Sequence, residues 1–388
     1  MNNNENPLII EVDKLLKRFA TTLSKPQFIH FEQIVKGILF TELKSINSYS
    51  KSSIKSQSSM CRFMNSKAVG NDQLNQILLE EIESKLDLSQ EIDFIFDDTL
   101  KRHKYAEHIY GLGVHHDHLN GGYSKSHCLV TGGLRQGYYF YPTNCELYQN
   151  QDEISDISSF QTKIEIAKAM LEQWLDKVNN VLMDSWYSSQ EILKMIFEKG
   201  KTFLTMLKKN RNFKENRKIK RQLQEYPKYI LPKEYKKVFV NNKWHLVHEK
   251  IGFLPGVGKV KILFTKFYNP TTKEVKELHY LCTNNVNLSV EEILFKYKDR
   301  WPIETFHKDV KQNLGFERCI IRNKIGIKRH FLIQFIVHNI IVFSKRKQVS
   351  CGETQRELKF SFIENILQNY GLKNHNLEAC KNELKILC

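Results

Sequence analysis

The stretch "EIDFIFDDTL", residues 91–100, is where the chain changes period. It is a short, continuous apolar run closing on acids, which reads as a strand with Asp97 and Asp98 at its carboxyl end. Upstream, residues 8–90 follow a helical period instead, as in "PQFIHFEQIVKGILF" and "NDQLNQILLEEIESKLD". Downstream, residues 108–148 hold glycine pairs between β-rich runs, the mark of a hairpin or meander. An amphipathic helix follows over 160–177, then "NNVLMDSWYSS" (179–189), a second short strand ending in an acid, Asp184. "SQEILKMIFEKG" reads as a helix with a Ser cap and a Gly stop, and "KTFLTMLKKN" (201–210) as a fifth strand. Three antiparallel strands, then helix, strand, helix and strand, describe a mixed α/β layer fold.

Residues 211–280 break that rhythm. "RNFKENRKIKRQLQEYPKYILPKEYKK" is basic and interrupted by two prolines, and the runs after it alternate like β-hairpins. They form an expected β-rich insertion with a positive surface, closed by "TKEVKELHYLCTNN" (272–285). The apolar run "FLIQFIVHNIIVF" (331–343) is too short to span a bilayer and carries Gln334, His338 and Asn339, so a buried core helix is expected. No basic segment followed by an apolar one opens the chain, and a cytoplasmic protein without a membrane segment is expected.

A net charge of +16 on 388 residues points to a polyanionic partner. "SYSKSSIKSQSSMCRFMNSK" (48–67) would suit two short helices joined by a polar turn, with Ser and Lys contacting phosphates. The eight cysteines are scattered without a C-x-x-C pair, so free thiols are expected and no zinc knuckle can be drawn. "GVHHDH" (113–118) offers His115, His116 and His118, but adjacent positions in a hairpin point to opposite faces, so a polar turn rather than a zinc site is expected. "PGVGKV" (255–260) lacks the first glycine and the Ser/Thr of a phosphate loop and reads as a turn.

The chemistry lies with the acids and with "YKDRWPIETFHKDVKQNLGFE" (297–317). At about 100° per residue, Tyr297, Arg300, Glu304 and Lys311 fall within roughly 60° of arc, with Trp301 and Lys308 beside them. A stripe of one acid, two bases and two aromatics is not an apolar core face. Pro302 starts or kinks a helix, so Tyr297 and Arg300 either share a straight helix with Glu304 or occupy the turn before it. Carboxylates from two strand ends and a helix could hold two Mg²⁺ ions and promote phosphodiester cleavage.

"YKDRWPIETFHKDVK" resembles the Y-(2)-R-(3)-E-(6)-K signature of IS4-type bacterial DDE transposases, with Tyr297, Arg300, Glu304 and Lys311 filling it. "FDDT" and "MDSWYSS" resemble the sites of that family's first and second catalytic aspartates. The resemblance, spanning about residues 50–345, implies an RNase H-like core with a mixed five-stranded sheet, interrupted by a β-rich insertion. It implies a helical DNA-binding region over 1–90, core over 91–210, insertion over 211–280, core completion over 281–345 and a helical tail over 346–388. Asp97 or Asp98, Asp184 and Glu304 would bind Mg²⁺, or Mn²⁺, and support strand cleavage at transposon ends and strand transfer into target DNA. Both D-x-T and x-D-T forms occur in the family, so the choice between Asp97 and Asp98 stays open. Tyr297, Arg300, Lys308 and Lys311 would grip phosphates, and Trp244 of the insertion would contact a flipped base. Double-stranded DNA and a second copy of the chain, in a homodimeric synaptic complex, are the implied partners. A nuclease that cuts without joining, and a silent DNA-binding relative, are the rival readings.

Overall fold

The computed structural model describes residues 7–369 apart from 52, 104, 118–120, 155, 156, 217, 319 and 320. His118 and the expected tail beyond 369 lie outside the described residues. Five helices come first: α1 (Pro7–Phe19), α2 (Lys25–Phe40), α3 (Ile46–Lys51), α4 (Gln57–Asn65) and α5 (Asn71–Lys85). Strands β1 (Asp93–Arg102), β2 (Gly113–His116), β3 (Tyr123–Gln136) and β4 (Tyr139–Tyr148) follow. Next come α6 (Lys163–Trp174), β5 (Asn180–Met183), α7 (Gln190–Glu198) and β6 (Thr202–Met206). Six more strands are β7 (Asn212–Lys214), β8 (Lys220–Gln222), β9 (Lys236–Val240), β10 (Lys243–Leu254), β11 (Gly258–Tyr268) and β12 (Val275–Thr283). The chain then runs through α8 (Val290–Tyr297), α9 (Pro302–Asn313), α10 (Lys324–Ser344) and α11 (Cys351–Asn369).

At the centre stand five strands in the order β4-β3-β1-β5-β6, with β1, β5 and β6 mutually parallel and β3 antiparallel to both β1 and β4. Parallel strands need helical crossovers, which α6 and α7 supply. Thr162 caps α6 in a capping box with Glu165, and Ser189 caps α7 by accepting from the Ile192 amide. Phe94, Ile95 and Phe96 have no exposure on either face, as expected of a strand covered by helices on both sides.

The expected five-stranded sheet is part of a larger one. β12 pairs antiparallel with β6, Leu281 opposite Met206, and carries β11, β10, β9, β7 and β8 onto the same twelve-stranded sheet. An unpaired β6 would expose a row of backbone donors and acceptors, and β12 closes that edge. β9 and β10 turn on Asn241-Asn242, both at positive φ (54° and 60°), a two-residue hairpin loop that asparagine tolerates. The first half of "PGVGKV", residues 255–257, is the turn between β10 and β11, with Gly256 at φ 74°, and the second half opens β11.

Helix α10 contains the long apolar run. It is long and apolar enough to cross a membrane, yet 78% of its most apolar window is buried inside the protein. The N-terminal helices and α11 pack around it, so they share one hydrophobic core with the sheet. Arg329 of α10 is fully buried, with no carboxylate partner among the described residues. It donates instead to the carbonyls of Met64 (2.9 Å), Ser66 (2.9 Å) and Val69 (2.6 Å) and to Asn71 Oδ1 (2.9 Å). These are the orphan carbonyls at the end of α4 and the loop beyond it. Arg329→Met should lower the unfolding free energy by about 3–5 kcal/mol, because several buried acceptors lose their donor at once. Denaturant titration checks it; a loss below 1 kcal/mol would mean water replaces the guanidinium.

Candidate active site

Asp97 and Asp98 lie in the middle of β1, not at its end, since β1 stays paired with β3 through Arg102. The parallel partner β5, however, pairs only with Asp93–Ile95 and stops at Met183, so the acids stand at the carboxyl end of the parallel pair. Asp184 follows β5 directly. Its Oδ1 accepts from the Trp186 amide (2.9 Å) and the Tyr187 amide (3.4 Å), which fixes the turn into α7.

Neighbours on a strand face opposite sides, and the two β1 acids meet different helices. Asp98 faces α6: its Oδ2 pairs with Lys163 Nζ at 2.8 Å, and its Oδ1 accepts from the Tyr187 hydroxyl at 3.1 Å. Asp97 faces α9: Arg300 Nη1 lies 3.2 Å from its Oδ2, while Arg300 Nη2 pairs with Glu304 Oε1. One guanidinium thus joins the first acid to the helix acid. Thr131, opposite Asp97 on β3, donates to the Asp97 carbonyl (3.0 Å) and receives His307 of α9 at 2.7 Å. Since the Thr131 proton is already committed, His307 Nε2 carries the hydrogen and donates to Oγ1. Burial drives His307 down to about 3, so it stays neutral and ties α9 to the sheet beneath Asp97.

The one-faced stripe does not survive intact. Tyr297 ends α8, Arg300 closes a short 3-10 turn, and α9 begins at Pro302, whose missing N–H costs nothing in the first turn. Arg300 reaches Asp97, and Glu304 is joined to the acids through it. The half-buried Tyr297 ring lies 6.0 Å from the Arg300 guanidinium. Lys308 is exposed, and Lys311 looks towards Arg102, Asp117 and Glu317, beyond the acid cluster. Trp244 pairs across β10 with Tyr268, four strands from β5, roughly 19 Å away at about 4.8 Å per strand. It lies on the insertion, outside the cluster. Of the histidines, His115 is buried and His116 exposed, alternating along β2.

Asp97, Asp184 and Glu304 offer oxygen donors only, the type that Mg²⁺ and Mn²⁺ prefer. Burial pushes Asp97 up to about 7, the Asp184 charge adds to this, and Arg300 opposes it. Asp184 is also raised, chiefly by burial, against the two backbone amides and Arg300. Partly buried carboxyls that desolvation holds above their usual range, with a second carboxyl adding to the shift at Asp97, would gain from a divalent ion beside them. The one trio of metal-type donors among the described residues whose atoms all lie within 4.8 Å of one another is a different one, Asp309, His338 and Cys351, between α9, α10 and α11. There burial lifts the Cys351 thiol to about 12 and drops the His338 imidazole to about 3, so these two meet uncharged beside the Asp309 carboxyl, which burial also raises.

A family model described as DDE superfamily endonuclease matches residues 38–249, more than half of the chain. The chain belongs to the DDE superfamily. A model described as Transposase DDE domain matches residues 161–340, and no curated protein matches the chain. Superfamily membership carries an RNase H-like fold and a transposase- or nuclease-type activity. The first span holds Asp97, Asp98 and Asp184, the second Asp184 and Glu304. Were a divalent cation to bind at Asp97, the carboxyl would release its proton to the solvent. Below pH 7 the apparent affinity for Mn²⁺ should fall about tenfold per pH unit, and above it should level off. Calorimetric titrations at pH 6 and pH 8 check this; equal affinities would disconnect Asp97 from the ion.

Lys163, Tyr187, Thr131 and His307 were not singled out from the sequence. Tyr187 stands three residues after Asp184, a spacing that could have flagged it. Lys163 and His307 are placed by tertiary packing alone.

Proposed function

We propose that this protein is the transposase of an IS4-type insertion sequence, cutting DNA at the element's ends and joining them to target DNA. Asp97, Asp184 and Glu304 are the proposed ligands of two Mg²⁺ ions, with Mn²⁺ as a substitute. When bound, the ions supply Lewis acidity to the attacking and leaving oxygens at phosphorus. Asp98, already engaged by Lys163 and Tyr187, holds the floor of the site. The observation that carries the reading is Arg300 bonded to both Asp97 and Glu304, with Asp184 raising the Asp97 carboxyl beside it. Such an arrangement has little use in a structural core and suits a site that trades one cation for others.

Arg300 and Tyr297 would bind phosphates at the cut end, and Lys308 and Lys311 the flanking backbone. The helical region over 1–90 and the basic insertion over 211–280, with Trp244, would grip the rest of the double-stranded end. Two ends must meet for cut-and-paste transfer, so the working form is a homodimer on DNA in the bacterial cytosol. A pre-cut terminal repeat, read from the DNA flanking the gene, incubated with supercoiled plasmid and Mg²⁺, should yield covalently joined product. Nicking without joining would leave a nuclease, and binding without either a silent relative.

A further inference from the structure

Helices α9, α10 and α11 each send one side chain into the cluster of Asp309, His338 and Cys351, whose donor atoms all lie within 4.8 Å of one another. His338 is 2% exposed, and Phe306 of α9 meets its ring edge-on, with 4.8 Å between centroids. Its Nε2 lies 3.8 Å from Cys351 Sγ, while Nδ1 is buried with no hydrogen-bond partner among the described residues. Either tautomer leaves Nδ1 unmatched, so hydrogen bonding within the cluster does not by itself account for an imidazole here. Cys351 has one hydrogen to give, and both the Asp309 carboxyl and His338 Nε2 are placed to accept it. A Cys–His–Asp nucleophile would need the acid on the imidazole and a thiolate at rest. Here the acid bonds the thiol instead, and the thiol keeps its proton.

The same donors suit a borderline-soft cation. Zinc takes sulfur at about 2.3 Å and imidazole nitrogen at about 2.0–2.1 Å, so at a tetrahedral angle the two stand about 3.5 Å apart. The observed 3.8 Å between Sγ and Nε2 is close to that. Cys351 is the first residue of α11, where backbone amides favour a thiolate once its proton is displaced. Asn313 Nδ2, 3.4 Å from Asp309 Oδ1, steadies the carboxylate. Zn²⁺ with one thiolate, one carboxylate and a neutral imidazole carries no net charge, which suits a site close to the Lys308 and Lys345 ammoniums. Asp309 and Cys351 are partly exposed, which leaves the ion a path in and a fourth position for water.

We propose that Asp309, His338 and Cys351 bind one Zn²⁺, separate from the oxygen-only acids, and that the ion clamps α9 to α10 and α11. On binding, Cys351 gives its thiol proton to solvent, and the thiolate, the carboxylate and Nε2 each donate a lone pair without any change of oxidation state. Asp309 follows Glu304 by five residues, about 7.5 Å along α9, so the clamp holds the helix that carries Glu304. The assignment uses none of the acids on β1 and β5 and stands whether or not they cut DNA.

The test uses the full-length protein, stripped with chelator and titrated with Co²⁺, whose bond to a thiolate gives a charge-transfer absorption band. Wild type should reach the full band at one equivalent, and Zn²⁺ should displace the Co²⁺ and raise the melting temperature. Cys351→Ser should lose the band and bind Zn²⁺ about 100-fold or more weakly, and Asn313→Ala about 10-fold more weakly. In chelator, Cys351→Ser should melt close to wild type, which separates a lost ion from a lost fold. Asp184→Asn should keep the band, because the acid cluster offers no sulfur. No band in wild type, an equal band in Cys351→Ser, or a melting temperature unmoved by Zn²⁺ overturns the site. Mg²⁺-dependent cutting by wild type would still support the proposed function in that event, and an intact band without any cutting would remove the function and leave the zinc site.

Discussion

Glu304→Gln lowers DNA cleavage and strand joining by about 10³-fold or more in Mg²⁺, with DNA binding and melting temperature close to wild type. The amide fills the same space and its oxygen can still accept from Arg300, so α9 keeps its place against β1. What is lost is a charged oxygen ligand, and a neutral amide is a poor replacement for a carboxylate on a hard dication. Single-turnover cleavage of an end-labelled duplex checks the rate, and a filter-binding titration checks the grip. Wild-type cutting by a folded Glu304→Gln protein would take Glu304 out of the site.

The second large effect separates two adjacent residues. Asp97→Asn should abolish cleavage and at the same time stabilise the metal-free protein at pH 8, by roughly 1–3 kcal/mol. The sign follows from the carboxyl being raised to about 7 in the fold. Between pH 4 and 7 the unfolded chain releases this proton and the folded chain keeps it, so stability falls as pH rises through that window. Above pH 7 the full penalty is present, and a neutral side chain removes it. Asp98→Asn should act in the opposite sense. It leaves the partly buried Lys163 ammonium without its carboxylate, costing about 1–3 kcal/mol, and only weakens cleavage. Denaturant unfolding at pH 8 with cleavage assays on both variants decides it; matching, mild losses would place the first metal ligand elsewhere.

That distinction was out of reach of the sequence. "FDDT" offers two adjacent carboxylates, and strand alternation says only that they part company. Which one meets Glu304 depends on α6 lying over one face of β1 and α9 over the other, a fact of long-range packing. Acids near strand ends were legible because the apolar runs of β1 and β5 break off on them. Glu304 was legible from its spacing to Arg300, although Pro302 divides the stretch, and Lys311 leaves the cluster because it lies two turns further along α9, about 10 Å beyond Glu304. Arg329 resembled any basic residue ahead of an apolar run, and only the carbonyls left by α4 give it a purpose. The join of β12 to β6 was equally hidden, since alternation marks a strand without naming its neighbour.

The most direct measurement is the cut itself. A duplex carrying the terminal repeat and its flanking sequence, labelled at one end, is incubated with wild type and with Asp184→Asn in Mg²⁺ or in chelator, and the products are sized on a sequencing gel. Wild type in Mg²⁺ should give one break at the element's boundary with a free 3′-OH, absent in chelator and absent with Asp184→Asn. The same break from Asp184→Asn, or from wild type stripped of divalent ions, would contradict a metal-holding role for the acids on β1, β5 and α9.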